Sequence, residues 1–162
     1  MADSAARETI LVVDDERGPR ESLRMILSPS YHVLQADRAA EALERLRAAP
    51  VDLVTLDLNM PDVHGVELMR SLRAEFPQTE IVIITGCASV ESAVEGIRAQ
   101  ICDYIEKPFD VAQVSAAVDR GLRRKRAREG AARLAAIASP PSDGRSKPAP
   151  FEASASQRNC NG

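Results

Sequence analysis

Five side chains able to handle a cation or a phosphoryl group stand at the ends of short apolar runs: Asp14, Asp15, Asp57, Thr85 and Lys107. Ile10-Leu11-Val12-Val13 leads into Asp14-Asp15, and Leu53-Val54-Thr55-Leu56 leads into Asp57. Ile81-Val82-Ile83-Ile84 leads into Thr85, and Tyr104-Ile105 runs toward Lys107-Pro108. In an open parallel sheet the C-terminal strand ends meet along one edge, where ligands bind. Taken singly, each Asp reads as a turn former or helix cap. Taken together, three carboxylates repel and favour protonation unless a hard cation sits among them. Mg2+ takes oxygen ligands, keeps several waters, and uses one or two carboxylates beside a phosphate. The ammonium of Lys107 and the hydroxyl of Thr85 suit phosphoryl oxygens. The joint pattern points to a divalent cation plus a phosphoryl group, with structural ion pairing as the plainer alternative.

The elements that must position these residues alternate. Strands are expected near 8–13, 31–36, 51–57, 80–85 and 102–105, and helices near 18–28, 38–49, 64–75, 89–99 and 110 to about 128. Strands alternating with helices of this length imply βαβ units and a parallel sheet. The strands are apolar on consecutive positions, as expected when helices cover both faces. The expected class is therefore α/β, a doubly wound five-stranded parallel sheet with five helices. Pro50, Pro61, Pro77 and Pro108 fall in the connections. Ser89 stands where a helix cap belongs, followed at the third position by Ser92 rather than by the Glu of a full capping box.

Composition sets the outer limits. The chain of 162 residues is 44% hydrophobic and 28% charged, which suits one globular domain with residues to spare. No apolar run approaches the roughly 18 residues of a membrane span. The opening residues are polar and acidic, unlike a signal peptide. Cys87, Cys102 and Cys160 form no paired motif, so a reducing compartment, the cytoplasm, is expected. Charge is unevenly spread. Residues 1–119 carry 11 basic and 21 acidic residues, a net −10, whereas residues 120–162 carry 10 basic and 3 acidic, a net +7. Residues 139–162 hold four Pro, five Ser and two Gly, too little apolar material to offset ordering entropy, so disorder is expected there.

The set Val12-Val13-Asp14-Asp15-Glu16, Leu56-Asp57-Leu58-Asn59-Met60-Pro61 with Gly65, Ile84-Thr85-Gly86, and Asp103-Tyr104-Ile105-Glu106-Lys107-Pro108-Phe109 resembles the receiver domain of bacterial two-component response regulators. The resemblance covers about residues 7–123, and its stretch from Thr85 to Lys107 is similar to receivers of the nitrogen-regulation type. It implies a flavodoxin-like sheet in the order 2-1-3-4-5. Residues 1–6 would be an N-terminal extension, 124–138 a basic helical extension, and 139–162 the tail. The resemblance further implies that Asp57 accepts a phosphoryl group from a histidine kinase. Asp15, Asp57 and the backbone carbonyl of Asn59 would hold Mg2+ directly, with Asp14 acting through a water. Lys107 would pair with the acceptor, Thr85 would hydrogen-bond the phosphoryl group, and Tyr104 would swing inward behind it. Gly86 would leave the phosphoryl group room, and the Lys107–Pro108 bond would be cis.

Two features depart from the family pattern. The fourth helix usually ends in Gly-Ala, where this chain has Gln100-Ile101, and Gly96 stands where Ala is common. Gln in a left-handed cap would cost about 1 kcal/mol, or the helix would end differently. His32 and His64 have no neighbouring ligands and read as surface or capping residues.

The expected function is a signalling module rather than an enzyme. Its partners would be a sensor histidine kinase or phosphotransfer protein and a downstream protein effector, with no folded output domain and no membrane insertion. The alternatives are a response regulator whose basic C-terminal extension contacts nucleic acid, or a phosphoryl sink or relay. An aspartyl-phosphate phosphatase would want a second Asp two positions after the first, where Asn59 stands. No GxxxxGK[ST] loop is present for nucleotide hydrolysis. The basic run from Arg120 to Arg128 reads as a solvated helix end, a partner contact, or weak phosphate-backbone binding. It has no interleaved aromatic residue, so specific DNA recognition is not expected.

Overall fold

The computed structural model describes residues 7–138; the expected N-terminal extension and tail lie outside them. Five strands and five helices alternate along the chain. They are β1 (Thr9–Val13), α1 (Arg17–Leu27), β2 (His32–Ala36), α2 (Ala39–Ala48), β3 (Leu53–Leu56), α3 (Gly65–Glu75), β4 (Glu80–Thr85), α4 (Val90–Arg98), β5 (Asp103–Glu106) and α5 (Val111–Ala138). All strand pairings are parallel and the order is β2-β1-β3-β4-β5, as the resemblance implies.

The period of two along each strand divides the core into two layers. Leu11, Val13, Val54, Leu56, Ile81 and Ile83 pack with Ala39, Ala42 and Leu46 of α2 and Leu68, Met69 and Leu72 of α3. Ile10, Val12, Leu53, Val82 and Ile84 pack on the other face with Leu23 and Leu27 of α1 and Val114, Ala117, Val118 and Leu122 of α5. Burial on both faces explains why β1, β3 and β4 read as unbroken apolar runs. Two glycines permit close approaches. A Cβ on Gly65 would lie 2.3 Å from the Leu58 Cα, and one on Gly121 would lie 2.6 Å from Leu53 Cδ1. Gly65 thus lets α3 start against the loop that follows Asp57.

Three helix ends refine the sequence reading. Ser89 caps α4, and Ser92 completes the capping box in place of a Glu: the Ser92 amide donates to Ser89 Oγ at 3.1 Å and the Ser89 amide to Ser92 Oγ at 3.2 Å. Gln100 does take the left-handed conformation, with φ of 53°. α5 continues unbroken to Ala138. Its basic residues fold back on the acidic body. Lys125 lies 2.9 Å from Asp52, Arg126 lies 3.3 Å from Glu8, and Arg124 pairs with Glu80. His32 and His64 are exposed, and His64 opens α3 with its backbone rather than its ring. Among the described residues no helix is long and apolar enough to cross a membrane.

Candidate functional site: an acidic pocket with a central lysine

The sheet delivers Asp14, Asp57, Thr85 and Lys107 to one edge because they close or follow β1, β3, β4 and β5. Asp14 and Asp57 are both buried. Lys107 Nζ donates to Asp14 Oδ2 and to Asp57 Oδ2, each at 2.8 Å. The Lys107–Pro108 peptide bond is cis, as expected. The Lys107 amide donates to the Thr85 carbonyl at 2.9 Å, which anchors this turn to the end of β4.

Each carboxylate has a second tether. Asp57 Oδ1 accepts from the Asn59 amide at 2.9 Å, and Asp14 Oδ1 accepts from the Glu16 amide at 2.9 Å. Arg20 Nη1 donates to the carbonyls of Asp14 and Asp15 at 2.7 and 3.3 Å, fixing the loop after β1 from the first turns of α1. Burial pushes the Asp14 carboxyl above its usual range, although Lys107 and the Glu16 amide pull the other way and Asp57 adds repulsion. Burial works against the Lys107 ammonium, but hydrogen bonds and charge from Asp14 and Asp57 outweigh it and hold its pKa above the usual value.

The converging carboxylates are Asp14, Glu16 and Asp57, whose ligand oxygens lie within 4.8 Å of one another. The sequence assigns Glu16 no role, yet its Oε1 lies 3.6 Å from Lys107 Nζ. The acidic run Asp14-Asp15-Glu16 was the signal for it. Asp15, expected to ligate directly, is not in that group; its Oδ1 is buried and has no hydrogen-bond partner. Asp15 adjoins two members of that group in sequence, and a divalent cation would supply the partner its buried oxygen lacks.

Thr85 is fully buried, and its Oγ1 accepts from the Cys87 amide at 3.2 Å. Tyr104 pairs with Ile83 across the sheet, and its hydroxyl lies 2.8 Å from Ser92 Oγ. That bond links β5 to the first turn of α4, and Ser92 was not singled out for it from sequence. A Cβ on Gly86 would have only the Lys107 Cβ nearby, at 4.0 Å, so the space beside Gly86 is open to a ligand.

Comparison with known proteins agrees with this geometry. Residues 10–119 match the response regulator receiver domain family. Response regulator MprA of Mycolicibacterium vanbaalenii is 40% identical over 129 residues, which are 79% of this chain and 56% of that protein. The chain thus spans about half the length of the curated relatives it matches. The receiver domain protein (CheY-like) of Methanospirillum hungatei superposes with a TM-score of 0.73 at 27% identity, covering 76% of this chain and 99% of that one. NtrX of Brucella abortus, solved with ADP, gives a TM-score of 0.74 at 30% identity, covering 80% of this chain and 30% of that one. Phosphorylation on an Asp and binding of Mg2+ at an acidic pocket are general features of receivers of this kind. With its fold, strand order and matched residues in agreement, this chain belongs to the response regulator receiver domain family of two-component signalling.

Proposed function

We propose that this chain is a phosphorylation-dependent signalling receiver in which Asp57 takes a phosphoryl group from the phosphohistidine of a sensor kinase or phosphotransfer protein. The observation that carries this is the position of Lys107 Nζ, 2.8 Å from both Asp14 and Asp57. One cation already balances the acceptor, and it can follow the charge onto phosphoryl oxygens. An Asp57 carboxylate oxygen forms the new bond to phosphorus, and the bond from phosphorus to the histidine nitrogen breaks. The imidazole leaves with the electron pair. Such transfers depend on in-line placement and charge neutralisation more than on covalent help.

Asp15, Asp57 and the Asn59 carbonyl would hold Mg2+ directly, with Asp14 through a water. The ion would supply charge neutralisation at the transferring oxygens. Asp57 is already aimed by its two tethers, from the Asn59 amide and from Lys107. Thr85 would exchange the Cys87 amide for a phosphoryl oxygen. Tyr104 would then give up Ser92 and turn toward the space Thr85 leaves, shifting α4 and β5 between two packings. Asn59, two positions after the acceptor, offers no acid or base, which favours a signalling module over a phosphatase. Output would pass through protein contact in the cytoplasm. The basic run supports DNA contact poorly, because Arg120, Arg124, Lys125 and Arg126 are paired with Asp103, Glu80, Asp52 and Glu8 of the body.

Incubation with acetyl phosphate and Mg2+ tests the reading. One acid-labile phosphoryl group is expected, absent without Mg2+ and absent in Asp57→Asn. Labelling of Asp57→Asn at the wild-type level would overturn it.

A further inference from the structure

Glu80 opens β4 at the edge of the sheet opposite the acidic pocket, and its carboxylate is fully buried. Arg124 Nε donates to its Oε2 at 2.9 Å. Arg128 Nη1 lies 3.0 Å from its Oε1, without the geometry of a hydrogen bond. The same Arg124 guanidinium donates through Nη2 to the Gln100 carbonyl at 2.6 Å and through Nη1 to the Ile101 carbonyl at 3.3 Å. Arg73 of α3 closes the arrangement by donating to the carbonyls of Ala99 and Thr79 at 2.8 and 3.1 Å. One side chain of α5 therefore joins the buried start of β4 to the turn that ends α4.

The reach of this contact follows from what α5 lacks. Its buried residues are Val114, Ala117, Val118, Gly121 and Leu122, and none lies beyond them. Among the described residues, the segment from Arg123 to Ala138 has no buried apolar residue, and an isolated helix of its length is marginal in water. Its order must come from polar docking. Exposed pairs such as Arg123 with Asp119 contribute little. The Glu80 contact differs because its carboxylate is fully buried, and losing Arg124 removes its hydrogen bond and leaves only Arg128 at 3.0 Å, which makes none.

We propose that Glu80 and Arg124 form a latch that makes the C-terminal end of α4 and the α5 segment 124–138 one cooperative unit, so that movement of α4 is read out in the order of that segment. The static coupling stands on these contacts alone; the link to signalling also rests on Asp57 as the acceptor. α4 is held at its first turn by Ser92 and Tyr104, and at its end by Arg73 and Arg124. A shift started at the first turn would withdraw the Gln100 carbonyl from Arg124 and free the segment beyond.

Hydrogen exchange of the full chain, read by mass spectrometry, tests this. Arg124→Gln should speed exchange about tenfold in both 97–101 and 125–138 while β1 and β3 stay protected. Acceleration confined to α5, or none, would overturn the latch. If Arg124→Gln does not fold, the double variant with Glu80→Gln, which leaves no orphan charge, is read for the same pattern. Beryllofluoride with Mg2+, a phosphoryl mimic, supplies the second comparison. The wild type should respond at 85–92 and show faster exchange at 125–138; Arg124→Gln should keep the first response and lose the second. A response at 85–92 without one at 125–138 in the wild type would refute the readout. No response at 57–59 or 85–92 would instead count against Asp57 as acceptor, and the latch would then be decided by the Arg124→Gln pattern.

Discussion

Gly96 and Ile101 share one space: a Cβ on Gly96 would lie 2.8 Å from Ile101 Cδ1 and 3.4 Å from its Cγ1. The turn that ends α4 brings them together, since the Ile101 amide donates to the Gly96 carbonyl at 3.1 Å. Each position departs from the family pattern. Together they are complementary. The larger side chain at Ile101 occupies the room that the glycine leaves, and it packs against the core layer containing Ile83.

The pair should therefore be energetically coupled. Ile101→Ala alone removes packed methyl groups and should cost about 1–2 kcal/mol, at or below the usual range because the site is half-buried. Gly96→Ala alone should give no gain, because helix propensity is offset by overlap with Ile101. With Ile101→Ala already present, the same change should stabilise by about 1 kcal/mol. Urea unfolding of the four proteins measures this, and strict additivity would refute the pairing.

The left-handed Gln100 carries backbone strain of about 1 kcal/mol. Gln100→Gly should raise stability by a few tenths to about 1 kcal/mol, reduced by the greater freedom of glycine in the unfolded chain. Gln100→Ala keeps the strain and should give no gain. Equal midpoints for all three proteins in urea would contradict this account.

Acidity should reveal Asp14. Its folded-state pKa is raised, first by burial, so it favours the fold while protonated and that contribution is lost as pH rises through the folded value. Asp14→Asn should accordingly raise the melting temperature of the metal-free protein near neutral pH. The gain should vanish below the unfolded carboxylate pKa of about 4. Lys107 keeps an amide oxygen at position 14 and its bond to Asp57. A gain that persists unchanged into acid would show that charge is not its cause.

The basic run should prove uneven. Among the described residues Arg123 pairs only with Asp119 one turn away, and the guanidinium is exposed, so Arg123→Gln should change stability by less than about 0.5 kcal/mol. Lys125 is mostly buried between Asp52 and Glu129, so Lys125→Ala should cost about 1 kcal/mol or more. Equal effects at the two positions would return the run to a uniformly solvated helix end.

The alternation of strands and helices was legible from short-range apolar runs, whereas the strand order came with the family resemblance. Apolar runs ending in Asp14, Asp57 and Thr85 define the sheet edge, and the motif carries Lys107 with its cis proline. What stayed hidden depends on contacts between distant segments. Nothing near Arg124 says that its guanidinium will span Glu80 and Gln100, 44 and 24 positions away. Ser92 looked like a weak substitute for a capping Glu, but it both completes the cap and holds Tyr104. The acidic run at Asp14 could not say which carboxylates converge, because side-chain direction after a strand end is set by the loop and by Arg20.

The most direct test of the central claim is to locate the acyl phosphate. The full chain is treated with acetyl phosphate and Mg2+, reduced with borohydride, which converts an aspartyl phosphate to homoserine, and digested for peptide sequencing by mass spectrometry. This account predicts homoserine at position 57 alone, dependent on Mg2+. Homoserine at Asp14 or Asp15, or unmodified Asp57 in protein that carries a phosphoryl group elsewhere, would contradict it.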